Sequence, residues 1–215
     1  MRLSRARRVA GFVTGAMLLA AAASAQTTQT APGRWRLGAF TGAYVPFSPL
    51  IRAADSNHTR LAAAPAFALE AQYLASSYLA AYANGLLAFS RIRLGSTIRP
   101  GVVGPSDHVV LAAGTAGLIL TTDLLGENLQ PTLRLGGGLK AYFFDLAGAE
   151  NQVRPAADLG VGFRGIGIGG VEVSTELRYL PGSFDQDRLP TRGIAPQAQR
   201  QTDLLFSIGI AIRPG

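Results

Sequence analysis

Apolar residues recur at every second position through segment after segment of this chain. That rhythm matches a β-strand, whose side chains point alternately to two faces, and not a helix, whose apolar positions recur every three or four residues. In Asp203–Arg213, Leu204, Phe206, Ile208, Ile210 and Ile212 share one face, and Asp203, Leu205, Ser207, Gly209, Ala211 and Arg213 share the other. In 171–179 the odd positions are mostly apolar, and the even ones are Glu172, Ser174, Glu176 and Arg178. Phe67–Tyr73, Thr132–Phe144 and Ala157–Arg164 alternate in the same way. Three further segments, 34–45, 78–91 and 109–121, alternate less cleanly, and the last two are partly apolar on both faces. The Ala-rich stretch 61–90 has the composition of a helix, but Pro65, the alternation at 67–73 and the turn-like Ala75-Ser76-Ser77 oppose one.

Eight candidate strands follow. The connections between the first and second (46–64), the third and fourth (92–107) and the seventh and eighth (181–201) are the longest, and all three leave from one end of an up-and-down arrangement. Transmembrane barrels sort their connections in this way, with short turns on one side and long loops on the other.

The N-terminal segment must be set aside before charge is read. Arg2, Arg5, Arg7 and Arg8 precede an apolar run from Val9 to Ala23 and the small-residue triplet Ala23-Ser24-Ala25. This is the pattern of a secretory signal peptide, with cleavage expected after Ala25. The run of about 15 residues falls short of the ~20 that span a bilayer as a helix. The formal charge of +7 then drops to +3, since the 20 basic residues become 16 against 13 acidic ones. A nucleic-acid partner is not expected from so small an excess on an exported chain. The longest later apolar run, Val109–Leu120, is too short for a spanning helix and is broken by Gly114, Thr115 and Gly117. The expected organisation is a leader at 1–25, a short segment at 26–33 and one barrel domain at 34–215.

Alternation alone suits a soluble ligand-binding barrel, apolar inside, as well as a membrane barrel, apolar outside. Composition separates them. The polar faces carry Gly and Ala in place of the Lys, Glu, Thr and Gln of a wet surface, and Lys140 is the only lysine in the chain. Small inward residues leave room for long side chains in a narrow lumen. On the membrane reading Arg36, Glu70, Arg134, Lys140, Asp158, Arg164, Glu172, Glu176, Arg178 and Asp203 point inward, five bases and five acids. Enclosed charges must be paired, so this balance predicts a plugged polar core and not an ion-selective pore.

The chain resembles the bacterial outer-membrane β-barrel proteins of the small, eight-stranded OmpA/OmpX-like type. The residues carrying the resemblance are the first strand, Trp35-Arg36-Leu37-Gly38-Ala39-Phe40-Thr41-Gly42-Ala43-Tyr44, and the last, Asp203 to Ile212, in which Ser207, Gly209 and Ile212 match the family's C-terminal assembly signal. The resemblance implies an all-β, antiparallel, up-and-down transmembrane barrel in the Gram-negative cell outer membrane. It also implies outer-membrane lipid and lipopolysaccharide as surroundings, and the barrel-assembly machinery as a partner during biogenesis.

No catalytic group, metal site or cofactor is expected. Ser106-Asp107-His108 holds the residue types of a nucleophilic triad, but neighbours on an extended chain point to different sides. His58 lies in the first long loop. Asp185 and Asp187 are two carboxylates without further ligands. The run Gly165–Gly170 lacks the strand–turn–helix setting of a dinucleotide site. The expected role is therefore non-enzymatic, structural or adhesive, through the three long loops. Their Arg52, Arg60, Arg99, Arg188, Arg192 and Arg200 are candidates to meet anionic lipopolysaccharide headgroups. The alternatives are a small channel for small or apolar solutes and a soluble periplasmic ligand-binding barrel.

Overall fold

The computed structural model describes residues 35–52, 58–93, 107–125, 129–166, 171–190 and 198–212. The expected leader, the segment at 26–33, Arg99, Ser106, Arg192 and residues 167–170 of the Gly-rich run lie outside the described residues. The strands are β1 (Trp35–Pro46), β2 (Arg60–Leu61), β3 (Ala64–Leu74), β4 (Leu79–Arg93), β5 (His108–Thr121), β6 (Leu129–Phe144), β7 (Gln152–Ile166), β8 (Glu172–Tyr179), β9 (Gly182–Asp185), β10 (Ala198–Gln201) and β11 (Asp203–Ile212). The stretch 61–90 is extended, as Pro65 and the alternation require.

Every neighbouring pair is antiparallel, from β1–β3 through β3–β4, β4–β5, β5–β6, β6–β7, β7–β8 and β8–β11. The first strand then pairs with the last, from Leu37 opposite Ile212 to Pro46 opposite Asp203. The sheet is thereby a closed eight-stranded up-and-down barrel with no free edge between its first and last strands. At one rim β3 ends and β4 begins, β5 ends and β6 begins, and β7 ends and β8 begins. At the other β1 ends and β3 begins, β4 ends and β5 begins, β6 ends and β7 begins, and β9 ends and β10 begins. They are called here the short-turn rim and the long-connection rim.

Two expected loops contain wall. The connection 181–201 holds β9 and β10, which pair from Gly182 opposite Gln201 to Ala198 opposite Asp185. Pro181 and Gly182 open that expected connection. Here Pro181 only interrupts a strand that resumes beyond it, with its carbonyl accepting the Ala157 N–H at 2.9 Å. The connection 46–64 holds β2, which pairs with the end of β4. It also bends over the barrel mouth, where Ile51 bridges Thr59 and Leu50 and Ile51 are fully buried.

Burial settles which face is which. Outward positions are apolar and exposed, among them Phe67, Leu69, Leu135, Val161, Phe206, Ile208 and Ile210, at 47–56% for each. The buried inward positions include most of the chain's charges in the strands. A soluble barrel reverses this pattern, so the membrane-type arrangement is the one this chain adopts. The expectation of a polar interior holds for only half its length. Phe40, Tyr44, Leu86, Leu111, Tyr142, Phe144, Phe184 and Leu205 also point inward and join Leu50, Ile51 and Leu61 in one buried apolar cluster towards the long-connection rim.

Candidate functional site

Among the described residues most of the charged side chains in the strands gather in the interior, which is built in two layers. The layer nearer the short-turn rim is ionic. Arg36, the second residue of β1, donates from Nη2 to Glu172 at 2.9 Å and from Nη1 to Gln72 at 3.0 Å. Arg164 of β7 donates to the same Gln72 oxygen at 3.1 Å and lies 3.5 Å from Glu172. The Gln72 amide donates to Glu70 at 2.5 Å, linking this group to the next.

Arg134 of β6 is the centre of the second group. Its Nη2 lies 2.6 Å from Glu70 and 2.8 Å from Glu176, and its guanidinium carbon sits 4.2 Å above the Tyr82 ring. Arg178 of β8 holds Asp158 with two donors, Nε to Oδ1 at 3.0 Å and Nη2 to Oδ2 at 2.5 Å. It also donates to Asn84 and Thr115. Tyr82 and Thr115 complete the Asp158 shell, each donating at 2.8 Å. Eight of the ten expected lumen charges thus form one network of four arginines and four carboxylates. Such a set survives in a low-dielectric interior because each charge faces an opposite one.

The small inward residues make room for it. A Cβ at Gly160 would stand 3.1 Å from Arg178 Cγ and 3.5 Å from Arg134 Cβ, and one at Gly136 would collide with the Tyr82 hydroxyl. Glycine at those two positions lets long side chains cross the lumen.

Lys140 and Asp203 stand apart from the eight. Lys140 Nζ lies 2.5 Å from Asp203 Oδ2 and donates to the Leu180 carbonyl at 3.2 Å; Gln201 donates to the other Asp203 oxygen at 2.9 Å. The pair is embedded in the second, apolar layer. There Phe184 meets Tyr142 edge-on, with ring centres 5.3 Å apart, and Phe144 edge-on at 6.1 Å.

The other candidate groups do not converge. Asp107 and His108 are exposed, with their nearest charged atoms 4.0 Å apart. Asp185 pairs with Arg154, and Asp187 is exposed. Among the described residues no three His, Asp or Glu stand close enough to hold a metal ion. Arg188 pairs with Glu150, whereas Arg52, Arg60 and Arg200 are exposed. Sequence reasoning passed over the neutral members of the network, Gln72, Tyr82, Asn84 and Thr115. It also passed over the apolar layer, whose one signal was the two-sided hydrophobicity of 78–91 and 109–121.

No family model and no curated protein matches the chain. Solved structures do. Neisserial surface protein A shares 14% identity over 86% of this chain and 99% of its own, with a TM-score of 0.56. The outer membrane protein AlkL in lipid bilayers shares 16% identity over 87% and 92%, with a TM-score of 0.46. Ail, the attachment invasion locus protein of Yersinia pestis, shares 12% identity over 85% and 100%, with a TM-score of 0.42. At such identities the likeness is one of fold. The fold of this chain is the small eight-stranded OmpA/OmpX-like barrel.

Proposed function

We propose that this chain is an integral outer-membrane protein with a sealed barrel, non-enzymatic, and acting through its outer rim and not through its lumen. The observation that carries the reading is the filled interior, with an ionic network at one depth and an aromatic and aliphatic cluster at another. A conducting barrel needs a continuous polar path, and this one is crossed by Phe184, Tyr142, Leu50 and Ile51.

The outer surface supports a lipid setting. Exposed Leu, Ile, Val and Phe form its belt. At the short-turn rim Trp35 and Tyr73 lie in register and meet edge-on, with ring centres 5.2 Å apart, where aromatic side chains suit a headgroup boundary. By the loop asymmetry of outer-membrane barrels, that rim faces the periplasm and the long-connection rim faces outward.

The test joins two measurements on the full chain refolded into lipid vesicles with fractionation of cells that express it. An unboiled sample runs faster on a gel than a boiled one if the barrel is closed and stable. Planar bilayers containing it show no sustained conductance. Sustained steps of fixed size sink the sealed reading in favour of a small channel, and recovery of the protein in an osmotic-shock fraction sinks the membrane one.

A further inference from the structure

We infer that Arg60, Arg91 and Arg93 form a binding site for the phosphate groups of an outer-leaflet lipid headgroup, that of lipopolysaccharide. The inference rests on the membrane reading above and gives that rim its ligand. It starts from register. β2 pairs with the end of β4 so that Arg60 stands directly opposite Arg93 and Leu61 opposite Ile92. Leu61 and Ile92 are buried towards the lumen, which puts both arginines on the outer face. Arg91 precedes Arg93 by two residues on that face and stands opposite His108 of β5. All three arginines are exposed.

Directly opposed residues have Cβ atoms about 5 Å apart, and i,i+2 neighbours on one face are about 7 Å apart. Three guanidinium groups are therefore held within reach of a single phosphate. Like charges placed opposite one another destabilise a ladder. Among the described residues none of the three side chains has an ion pair or a hydrogen bond. Asp107, the residue just before β5, lies 4.0 Å from His108. At the same rim Arg188, by contrast, is paired with Glu150. Arg60 and Arg93 are like charges directly opposed on one ladder, and an anion that bridges them removes the repulsion. Arginine suits phosphate because its fork donates two parallel hydrogen bonds.

Depth identifies the source of the phosphate. The outward row of β4 runs Ala81, Ala83, Gly85, Leu87, Phe89, Arg91, Arg93 towards the long-connection rim. Phe89 is 54% exposed. The change from apolar to basic between Phe89 and Arg91 puts the arginines where acyl chains give way to headgroups.

The experiment uses the full chain in vesicles of zwitterionic phospholipid doped with lipid A, either phosphorylated or dephosphorylated, and reads the lipid retained after detergent extraction. Wild type is expected to retain the phosphorylated form at least tenfold better, about 1.4 kcal/mol, because the contacts to phosphate are charge-assisted. R60Q/R91Q/R93Q is expected to lose that preference, whereas R188Q keeps it. Equal retention of the two lipids by wild type overturns the site whether or not the triple variant folds. A triple variant that keeps heat-modifiable mobility and full retention overturns it too, and leaves the barrel reading standing. Displacement of the lipid by millimolar inorganic phosphate overturns the lipid as ligand in favour of the free ion.

Discussion

Lys140 Nζ and Asp203 Oδ2 lie 2.5 Å apart with both side chains fully buried, in a layer rich in aromatic and aliphatic groups. They join β6 to the start of β11 across the lumen. Removing one partner leaves an uncompensated buried charge, which costs about 3–5 kcal/mol, whereas replacing both with apolar groups is often neutral or stabilising. K140M is therefore expected to lower the urea midpoint of the vesicle-bound protein sharply, followed by the fluorescence of Trp35, the only tryptophan. K140M/D203L is expected to regain most of it. Equal losses from the single and the double variant overturn the coupling.

Arg178 tests the ionic layer through geometry and not through charge. Its planar fork meets both oxygens of Asp158 while its remaining donors reach Asn84 and Thr115. Lysine keeps the charge but presents a single ammonium on a flexible stem. R178K is expected to cost a large part of the roughly 3–5 kcal/mol of a broken buried pair, read as the shift in urea midpoint at unchanged slope. A midpoint within about 0.5 kcal/mol of wild type, the scatter of ordinary surface changes, shows that charge alone suffices there.

The sequence made the wall legible because period-two alternation is a strong local signal where one face must be apolar. Phe67–Tyr73 and Asp203–Ile212 show it without interruption. It made the lumen charges legible for the same reason: once Leu204, Phe206 and Ile208 face outward, Asp203 and Ser207 have no other face to take. Two things were not local. The apolar layer draws Leu50 and Ile51 from a connection with no alternation, and its lumen residues, Leu86 and Leu111, lie on strands hydrophobic on both faces. The division of the charges, eight in a network and Lys140 with Asp203 apart, depends on cross-lumen distances that strand spacing cannot encode. The Arg60–Arg93 pairing was hidden likewise, since β2 is two residues long and its register is set by the fold.

Two glycines of similar sequence setting should respond in opposite ways. A Cβ at Gly42 would run into the Phe206 carbonyl and stand 2.7 Å from Ser207 Cα, backbone atoms of the adjoining strand that cannot step aside. At Gly85, on the outer face, nothing lies within 4 Å. G42A is expected to cost about 1–3 kcal/mol, the range for overpacking. G85A is expected to be neutral, or to gain about 0.4–1 kcal/mol by restricting the unfolded chain. The heat-modifiable gel transition reads both, and a G85A loss as large as that of G42A contradicts the packing account.

The two layers should close the lumen independently. Phe184 sits edge-on to both Tyr142 and Phe144 and is fully buried, so F184A opens a void in the apolar layer at a cost of about 3–5 kcal/mol. The ionic layer lies at a different depth and keeps its own contacts, with Arg134 bridging Glu70 and Glu176 across the lumen whatever happens at Phe184. F184A is therefore expected to unfold at lower urea yet to stay silent in planar bilayers. Sustained conductance in F184A alone would falsify the ionic layer as a seal and assign closure to the aromatic cluster. Silence together with an unchanged urea midpoint would instead remove Phe184 from the core that holds the barrel shut.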